Sequence, residues 1–492
     1  MRLAALALAG FLTAPAFAQT PCVGGQAGPH SCERVDMQAH LPLSTFAVPG
    51  SPAPGNANDI WGWTDPETGR EYALVGLRNG TAFVDVTDPA APLFVGKLPT
   101  SSGSADGSLW RDVKTIGDWA FIVAEESGHG MQTFDLKRLR GVTAPPQTFT
   151  ADAVYAGIGS AHNIVVSEAG DLALAVGATQ AGGTCNGGGL HMIDVSTPTQ
   201  PAFAGCYDAA GYTHDAQCGL YDGPDADYAG REICVGYNTN RISITDITDP
   251  ANVTPISDGF YPDPGYTHQG WFTDDKRHII VNDEADEGGG SGTRTIVFDV
   301  TDLDNPSFAF FHFGTQTSTD HNLYTVGDLV FQSNYGAGLQ ILRLGDLSSD
   351  TMEEVAHFRV SGGSQWSNYP YFASGTVVVT EISGGLYVLT PDAGLFLADG
   401  NAPEAETALG VPRPNPSTGR AELTLSVDRS QAVRVELVDV AGRRVATLFD
   451  GTAVPGAAVT LSVDGADLPA GVYVVRAQGE TFDAAQRITL TR

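Results

Sequence analysis

Lysine is nearly missing from this chain of 492 residues: Lys97, Lys114, Lys137 and Lys276 are the only ones. Lys and Arg together number 26 against 57 Asp and Glu, a formal net charge of −31. Nucleic-acid binding needs a surface that neutralises phosphates, so no nucleic-acid partner is expected, and docking on anionic lipid is disfavoured too. The carboxylate surplus has two readings. One is solubility, including a salty habitat where self-repulsion is screened; the other is attraction of cations. Long apolar runs are also missing. Leu3 to Leu12 is too short to span a bilayer as a helix, and no later stretch replaces it, so no membrane-spanning segment is expected. That run follows Arg2 and precedes Ala16, Phe17 and Ala18, the pattern of a cleaved secretory signal peptide over residues 1–18. Cysteine is sparse, and its six copies include no close pair, which argues against a zinc ribbon or a dithiol redox motif. No nucleophile elbow, phosphate loop or dinucleotide fingerprint stands in its proper context. Gly187-Gly-Gly189 and Gly288-Gly-Gly290 have no helix after them. No catalytic residue is therefore assigned.

What is present is a repeat. A Gly-rich step, an alternating apolar strand, Asp, and a Pro/Asp turn recur. The first copy is Gly80-Thr-Ala-Phe-Val-Asp85, followed by Val-Thr-Asp-Pro89. Further copies end at Asp194, Asp246 and Asp299, with weaker ones at Asp135, Leu342 and Leu389. A landmark precedes each copy, at Asp59, Trp110, His162, His214, His268, His321 and Trp366. Each unit reads as four short strands with period-2 alternation and Gly, Pro and Asp punctuation. Seven such units predict a seven-bladed β-propeller over residues 19–397, an all-β fold that closes radially and leaves only short edges. The seventh unit is short of an outer strand. Val35 to Leu43 resembles the outer strands elsewhere and is expected to complete it; Gly394 to Leu397 is the alternative. Residues 398–410 read as a linker, and 411–492 as a small Ig-like β-sandwich.

An even number of cysteines behind an export signal points to disulfides. Cys218 lies in the first strand of the fourth unit and Cys234 in the second, so antiparallel pairing sets them opposite. Cys185 sits in a loop at one face of the third unit, where Cys206 ends the outer strand. The predicted pairs are Cys218–Cys234, Cys185–Cys206 and Cys22–Cys32.

Two resemblances sharpen this reading. Pro414-Asn-Pro-Ser-Thr-Gly419, Val435 to Val445, and Leu468-Pro-Ala-Gly-Val-Tyr-Val474 resemble, in order, the C-terminal sorting domain of type IX secretion substrates. That resemblance implies the type IX secretion machinery as a partner. It also implies passage through the outer membrane of a Gram-negative-type bacterium, with surface attachment or release. Cys22, Cys32 to Met37, Asn58 to Asp65 and Tyr72 to Asp85 resemble the choice-of-anchor B proteins, which carry LVIVD-type repeats. This supports architecture and location and brings no reaction.

The landmarks start the first strands, so they are expected to ring one mouth of the channel. His162, His214, His268 and His321 stand there, and the loops between second and third strands bring Glu125, Asp283 and Glu284. Imidazoles and carboxylates together suit a divalent metal (Zn, Ca, or Mn/Fe). The competing reading is buried hydrogen-bonding histidines that tie neighbouring loops. Trp61, Trp63, Trp110, Trp271 and Trp366 are expected near the same mouth, where aromatic faces would suit sugars, peptides or cations, or would simply pack the blades. Asp-rich turns after the third strands fit turn chemistry better than calcium loops. Two functions follow: a surface-displayed propeller that binds an extracellular ligand, or a metal-dependent, lactonase-like hydrolase at the histidine mouth.

Overall fold

The computed structural model describes residues 19–102, 107, 109–167, 169, 171–179, 185, 187–287 and 292–396, then 408–410, 415, 417, 419–427, 431–439, 443–453, 459–465, 468–469, 471–479 and 482–491. The signal peptide, Gly288 to Gly290 and most of the linker lie outside the described residues. The chain divides into two compact units, Met1–Phe396 and Leu397–Arg492.

The first unit is all-β and propeller-like. Among the described residues its strands form seven sheets, five of four strands, one of five and one of six. The fifth is typical: Thr267–Phe272, His278–Asp283, Arg294–Asp299 and Ser307–Phe313 pair antiparallel in chain order. The first strands are Ala57–Thr64, Arg111–Ile116, Asn163–Ser167, Asp215–Leu220, Thr267–Phe272, Asn322–Val326 and Gln365–Tyr369. Each neighbours the next, and the last neighbours the first. The outer strand of the last sheet is Val35–Leu41, paired with Gly385–Pro391; Ala393–Leu395 is a short 3-10 turn. Gln26–Ala27 and His30–Glu33 extend the sixth sheet. Among the described residues there is no α-helix, and no helix is long and apolar enough to cross a membrane.

Alternation explains why these strands look apolar along their whole length. Ala82 and Val84 face a core shared with Leu41, Val378, Leu386 and Val388 of the last sheet. Phe83, between them, points the other way, into a core with Val113, Ile122 and Phe134 of the second sheet. Each sheet is thus buried on both faces, and a strand with two apolar faces reads as a continuous run. Burying a side chain of this size contributes ~1.5–3 kcal/mol. Asp at the end of the third strand closes the turn. Asp85 accepts from the Thr87 amide at 3.1 Å, Asp246 from Thr248 at 2.9 Å and Asp299 from Thr301 at 2.9 Å. The next Asp repeats the device, as Asp249 accepts from Ala251 at 3.1 Å. Three disulfides, Cys22–Cys32, Cys185–Cys206 and Cys218–Cys234, leave no free cysteine. Cys218 stands directly opposite Cys234 in the ladder.

The second unit has a three-stranded sheet ordered Ala408–Leu409, Arg420–Ser426, Val459–Asp464. Its four-stranded sheet is ordered Arg444–Ala453, Gln431–Asp439, Gly471–Gln478, Asp483–Leu490. Val433, Val435 and Leu437 are buried with Leu423, Leu461, Val475 and Ile488, while the intervening Arg434 is exposed. Ala408–Leu409 pairs with Leu425 and Ser426, so this unit begins before residue 411. The sequence placed these two residues in the linker because so short a strand has no alternation to read.

Candidate functional site

Pairing register aligns the first strands. Ile60, Val113, Ile164, Ala216, Gly270, Leu323 and Asn368 stand opposite equivalent residues of their second strands. Two positions before that level come Asn58, Arg111, His162, His214, His268, His321 and Trp366. One position before it come Asp59, Asp112, Asn163, Asp215, Gln269, Asn322 and Ser367. One position beyond it come Trp61, Lys114, Val165, Gln217, Trp271, Tyr324 and Tyr369. The channel therefore has three layers with different chemistry. By register the histidine equivalents in the first two sheets are Asn58 and Arg111, displaced by one position from the landmarks, with a register shift between Ala57 and Ile60 in the first. Asp59 and Trp110 nevertheless line the mouth beside the histidines, as the sequence predicts, and Asn58 does not.

The outer layer is a stack of rings. His162 to His214, His214 to His268, and His268 to His321 have centroids 4.3, 4.2 and 4.3 Å apart. The stack continues to Trp366 at 4.0 Å, and Trp366 lies 4.3 Å from Trp110. His214 Nδ1 donates to the His268 carbonyl at 3.0 Å, and His321 Nδ1 donates to the Trp366 carbonyl at 2.7 Å. His268 Nδ1 has only a weaker interaction with the His321 backbone, short of hydrogen-bond geometry. Burial, reinforced by the adjacent imidazoles, holds His214 and His268 well below the usual imidazole range; burial lowers His321 as well. Arg111 is fully buried beneath the ring. It donates to the Leu77 carbonyl at 2.9 Å and to His129 Nε2 at 2.8 Å, and His129 Nδ1 donates to the Gly130 carbonyl. The cavity enclosed by this mouth is about 10 Å³, room for about one water.

The predicted metal residues do not all converge. His162 pairs with Glu125 at 2.7 Å. Asp283 is turned away: it accepts from Tyr261 Oη, from the Gly265 and Ala285 amides, and from the Tyr266 amide. A carboxylate so saturated has no lone pair to spare for a mouth ligand, which corrects the sequence expectation. His214, His268 and Glu284 do come together, with ligand atoms all within 4.8 Å of one another.

The middle layer ties strand to strand. Asp112 accepts from the Ile164 amide at 2.9 Å, and Gln269 both accepts from and donates to the Leu323 backbone. Asn322 donates to Asp59 at 3.0 Å and to Ser367 at 3.1 Å. Three buried carboxylates share one cation here. Lys114 Nζ lies 2.7 Å from Asp112 and 4.7 Å above the Trp61 ring. Burial disfavours the ammonium, but Asp112, Asp59 and Asp215 outweigh it and raise its pKa. Burial pushes the Asp112 and Asp215 carboxyls up, with Lys114 opposing.

Beyond Lys114 the channel widens into a vestibule of about 590 Å³. Trp61, Trp271, Tyr324, Tyr369 and Tyr371 form its wall, with Asp215, Gln217, Thr273 and Lys276 among the polar lining. The rings pack edge to face: Trp61 lies 5.1 Å from Tyr369 and 5.6 Å from Tyr324, and Trp271 lies 5.1 Å from Tyr324. Gly62 makes room for Tyr369, because a Cβ there would collide with its ring. The Tyr371 hydroxyl is buried without a hydrogen-bond partner.

Trp61 and Trp271 thus stand at the opposite end from the histidines, since each step along a strand advances ~3.3 Å. Trp63 is not in the channel at all; it packs 5.4 Å from Tyr72 in the core between the first two sheets. Only Trp110 and Trp366 of the expected aromatics join the histidine mouth. The sequence reading missed Lys114, Asp112, Asp215, Tyr324 and Tyr369. Their common signal is position, three residues or fewer beyond the landmark, and not residue type.

Residues 414–491 match the Secretion system C-terminal sorting domain, and residues 68–100 and 185–209 match the LVIVD repeat. The tail match supports type IX secretion sorting, and with it a cell-surface or secreted location in a Bacteroidetes-type bacterium. No curated protein matches the chain. Two similar solved structures are the Myceliophteria thermophila Cps50 (Swd1) beta-propeller domain and the RRP9 WD40 repeats. The first is 12% identical, covers 68% of this chain and 96% of its own, and has a TM-score of 0.45. The second is 9% identical, covers 68% and 94%, and also has a TM-score of 0.45.

Proposed function

We propose that this chain is an exported propeller of the choice-of-anchor B type that binds an extracellular ligand in the aromatic vestibule. Its seven sheets are seven blades, closed by the N-terminal strand Val35–Leu41. Its last unit is an Ig-like sandwich that serves as the sorting tag and leaves the binding unit outside the cell. The observation that carries the binding role is the vestibule of about 590 Å³ with six aromatic residues in its lining. Ligand sites are typically ~300–1,000 Å³ concavities with an apolar lining and a few convergent polar groups. Flat rings beside Gln217 and Thr273 fit a saccharide, which stacks its C–H face on an aromatic ring and offers hydroxyls around its edge. Against the hydrolase alternative weighs the mouth itself, whose space of about 10 Å³ admits a water and no substrate.

The test is titration of the mature protein with a panel of neutral oligosaccharides, followed by calorimetry on the binders. Trp61→Ala and Trp271→Ala are expected to weaken binding by at least about tenfold, as for buried aromatic anchors, with the fold intact. Unchanged affinity in both variants would move the ligand out of the vestibule.

A further inference from the structure

The histidine mouth and the vestibule lie at opposite ends of the same strands, and the vestibule leaves the mouth without a role in binding. We propose that His214 Nε2, His268 Nε2 and a Glu284 carboxylate oxygen bind one divalent metal ion of the zinc class, which clamps the fourth sheet to the fifth.

Three observations carry this. The ligand atoms of His214, His268 and Glu284 already lie within 4.8 Å of one another, and His268 Nε2 is 3.7 Å from Glu284 Oε2. Two ligands at ~2.0–2.1 Å from a tetrahedral ion stand about 3.3–3.4 Å apart, so the His268–Glu284 pair needs to close by a few tenths of an ångström and the remaining pairs, all within 4.8 Å, by no more than about 1.5 Å. Next, the hydrogen bond from His214 Nδ1 to the His268 carbonyl fixes the proton on Nδ1. That leaves Nε2 of His214 with the lone pair a metal needs, the usual way an outer partner sets a ligating tautomer. Last, Glu284 is held from behind: Tyr335 Oη donates to Oε1 at 2.5 Å and leaves Oε2 on the His268 side. Two imidazoles and one carboxylate form a nitrogen-rich set that suits zinc or its neighbours and does not suit the all-oxygen preference of calcium or magnesium. Glu125, paired with His162 at the same mouth, adds negative charge to balance the ion.

His214 enters from the fourth sheet, while His268 and Glu284 come from the fifth. The ion therefore bridges two sheets that are otherwise joined at this level by the His214 hydrogen bond and by the reciprocal backbone pair Thr239–Thr267. The Cys218–Cys234 disulfide lies within the fourth sheet and does not span this seam.

The experiment uses the mature chain, stripped with a chelator, dialysed against Zn2+ and assayed by elemental analysis. A parallel sample is loaded with Co2+ and read by visible absorption. The expected result is one ion per chain and a tetrahedral-type cobalt spectrum. Glu284→Gln should weaken zinc binding at least about a hundredfold and Tyr335→Phe about tenfold, the latter in the range for loss of an outer-shell partner. Glu284 is partly exposed, so circular dichroism should show Glu284→Gln folded. If that variant fails to fold, Tyr335→Phe and the wild-type cobalt spectrum decide. Wild-type protein that retains no zinc overturns the proposal, as does Tyr335→Phe or folded Glu284→Gln protein that binds zinc as the wild type does.

Discussion

The two ends of the channel are built from the same seven strands, only a few residues apart, yet they dispose of their polar atoms in opposite ways. At the mouth, imidazoles and Arg111 spend their hydrogen-bonding groups on the next strand's backbone or on one another. What remains is imidazole Nε2 lone pairs, which suit a metal ion, and the enclosed space of about 10 Å³ admits no larger ligand. At the vestibule, rings pack against rings and leave a void of about 590 Å³, with Gln217 and Thr273 among its polar lining. A propeller strand can thus carry ring closure at one end and recognition at the other. Changes at the mouth and middle layer should cost stability, while changes at the vestibule should cost binding.

The largest break in that comparison is Lys114→Met. It removes the one cation among Asp59, Asp112 and Asp215, and breaking a buried pair from one side costs roughly 3–5 kcal/mol. Chemical denaturation should show that loss at neutral pH, with recovery in the double variant Lys114→Met, Asp112→Asn. Next in size, His129→Ala strips Arg111 Nη1 of its acceptor, leaving only the Nε bond to the Leu77 carbonyl. Leaving a buried donor unsatisfied costs about 1–3 kcal/mol, read as a lower denaturation midpoint with an unchanged slope.

A pH series sharpens the same point. Burial first, then Arg111, lowers the His129 pKa from 6.5 to about 3. Its neutral form is therefore favoured in the fold, and between those values the unfolded chain binds the extra proton. The stability it contributes is complete above pH 6.5 and is lost as pH falls toward 3. His129→Gln keeps an acceptor for Arg111 and cannot protonate. Relative to the wild type it should lose less stability between pH 6.5 and pH 4; parallel melting curves would contradict the assignment. The smallest effect belongs to Tyr371→Phe. Deleting a buried hydroxyl with no partner removes an unsatisfied polar group, so stability should not fall and saccharide affinity should stay as in the wild type.

Much of this was legible in the sequence because the fold repeats itself. Gly80 to Asp85 and its copies mark third strands, and their Asp residues do the turn work that their spacing suggests. The partners of Cys218 and Cys185 follow once strands are placed, since ladder register fixes which side chains face each other. The histidines stand out because one residue type recurs at one level. The vestibule was hidden for the converse reason. Trp61, Lys114, Val165, Gln217, Trp271, Tyr324 and Tyr369 share a register position and nothing else, so no composition search groups them. Trp63 misled because two residues past Trp61 looks like the same face of the strand, yet its ring is packed against Tyr72 between sheets. Asp283 misled because a loop carboxylate near a histidine looks like a ligand until its four hydrogen-bond partners are counted.

The separation of the two ends is tested most directly by measuring zinc content and oligosaccharide affinity on the same two variants, Glu284→Gln and Trp61→Ala. Glu284→Gln should lose the metal and keep its saccharide affinity within about twofold, a change of under ~0.5 kcal/mol. Trp61→Ala should keep one zinc per chain and lose the saccharide. Loss of both properties in either folded variant would show that the ends act as one site and would contradict the account.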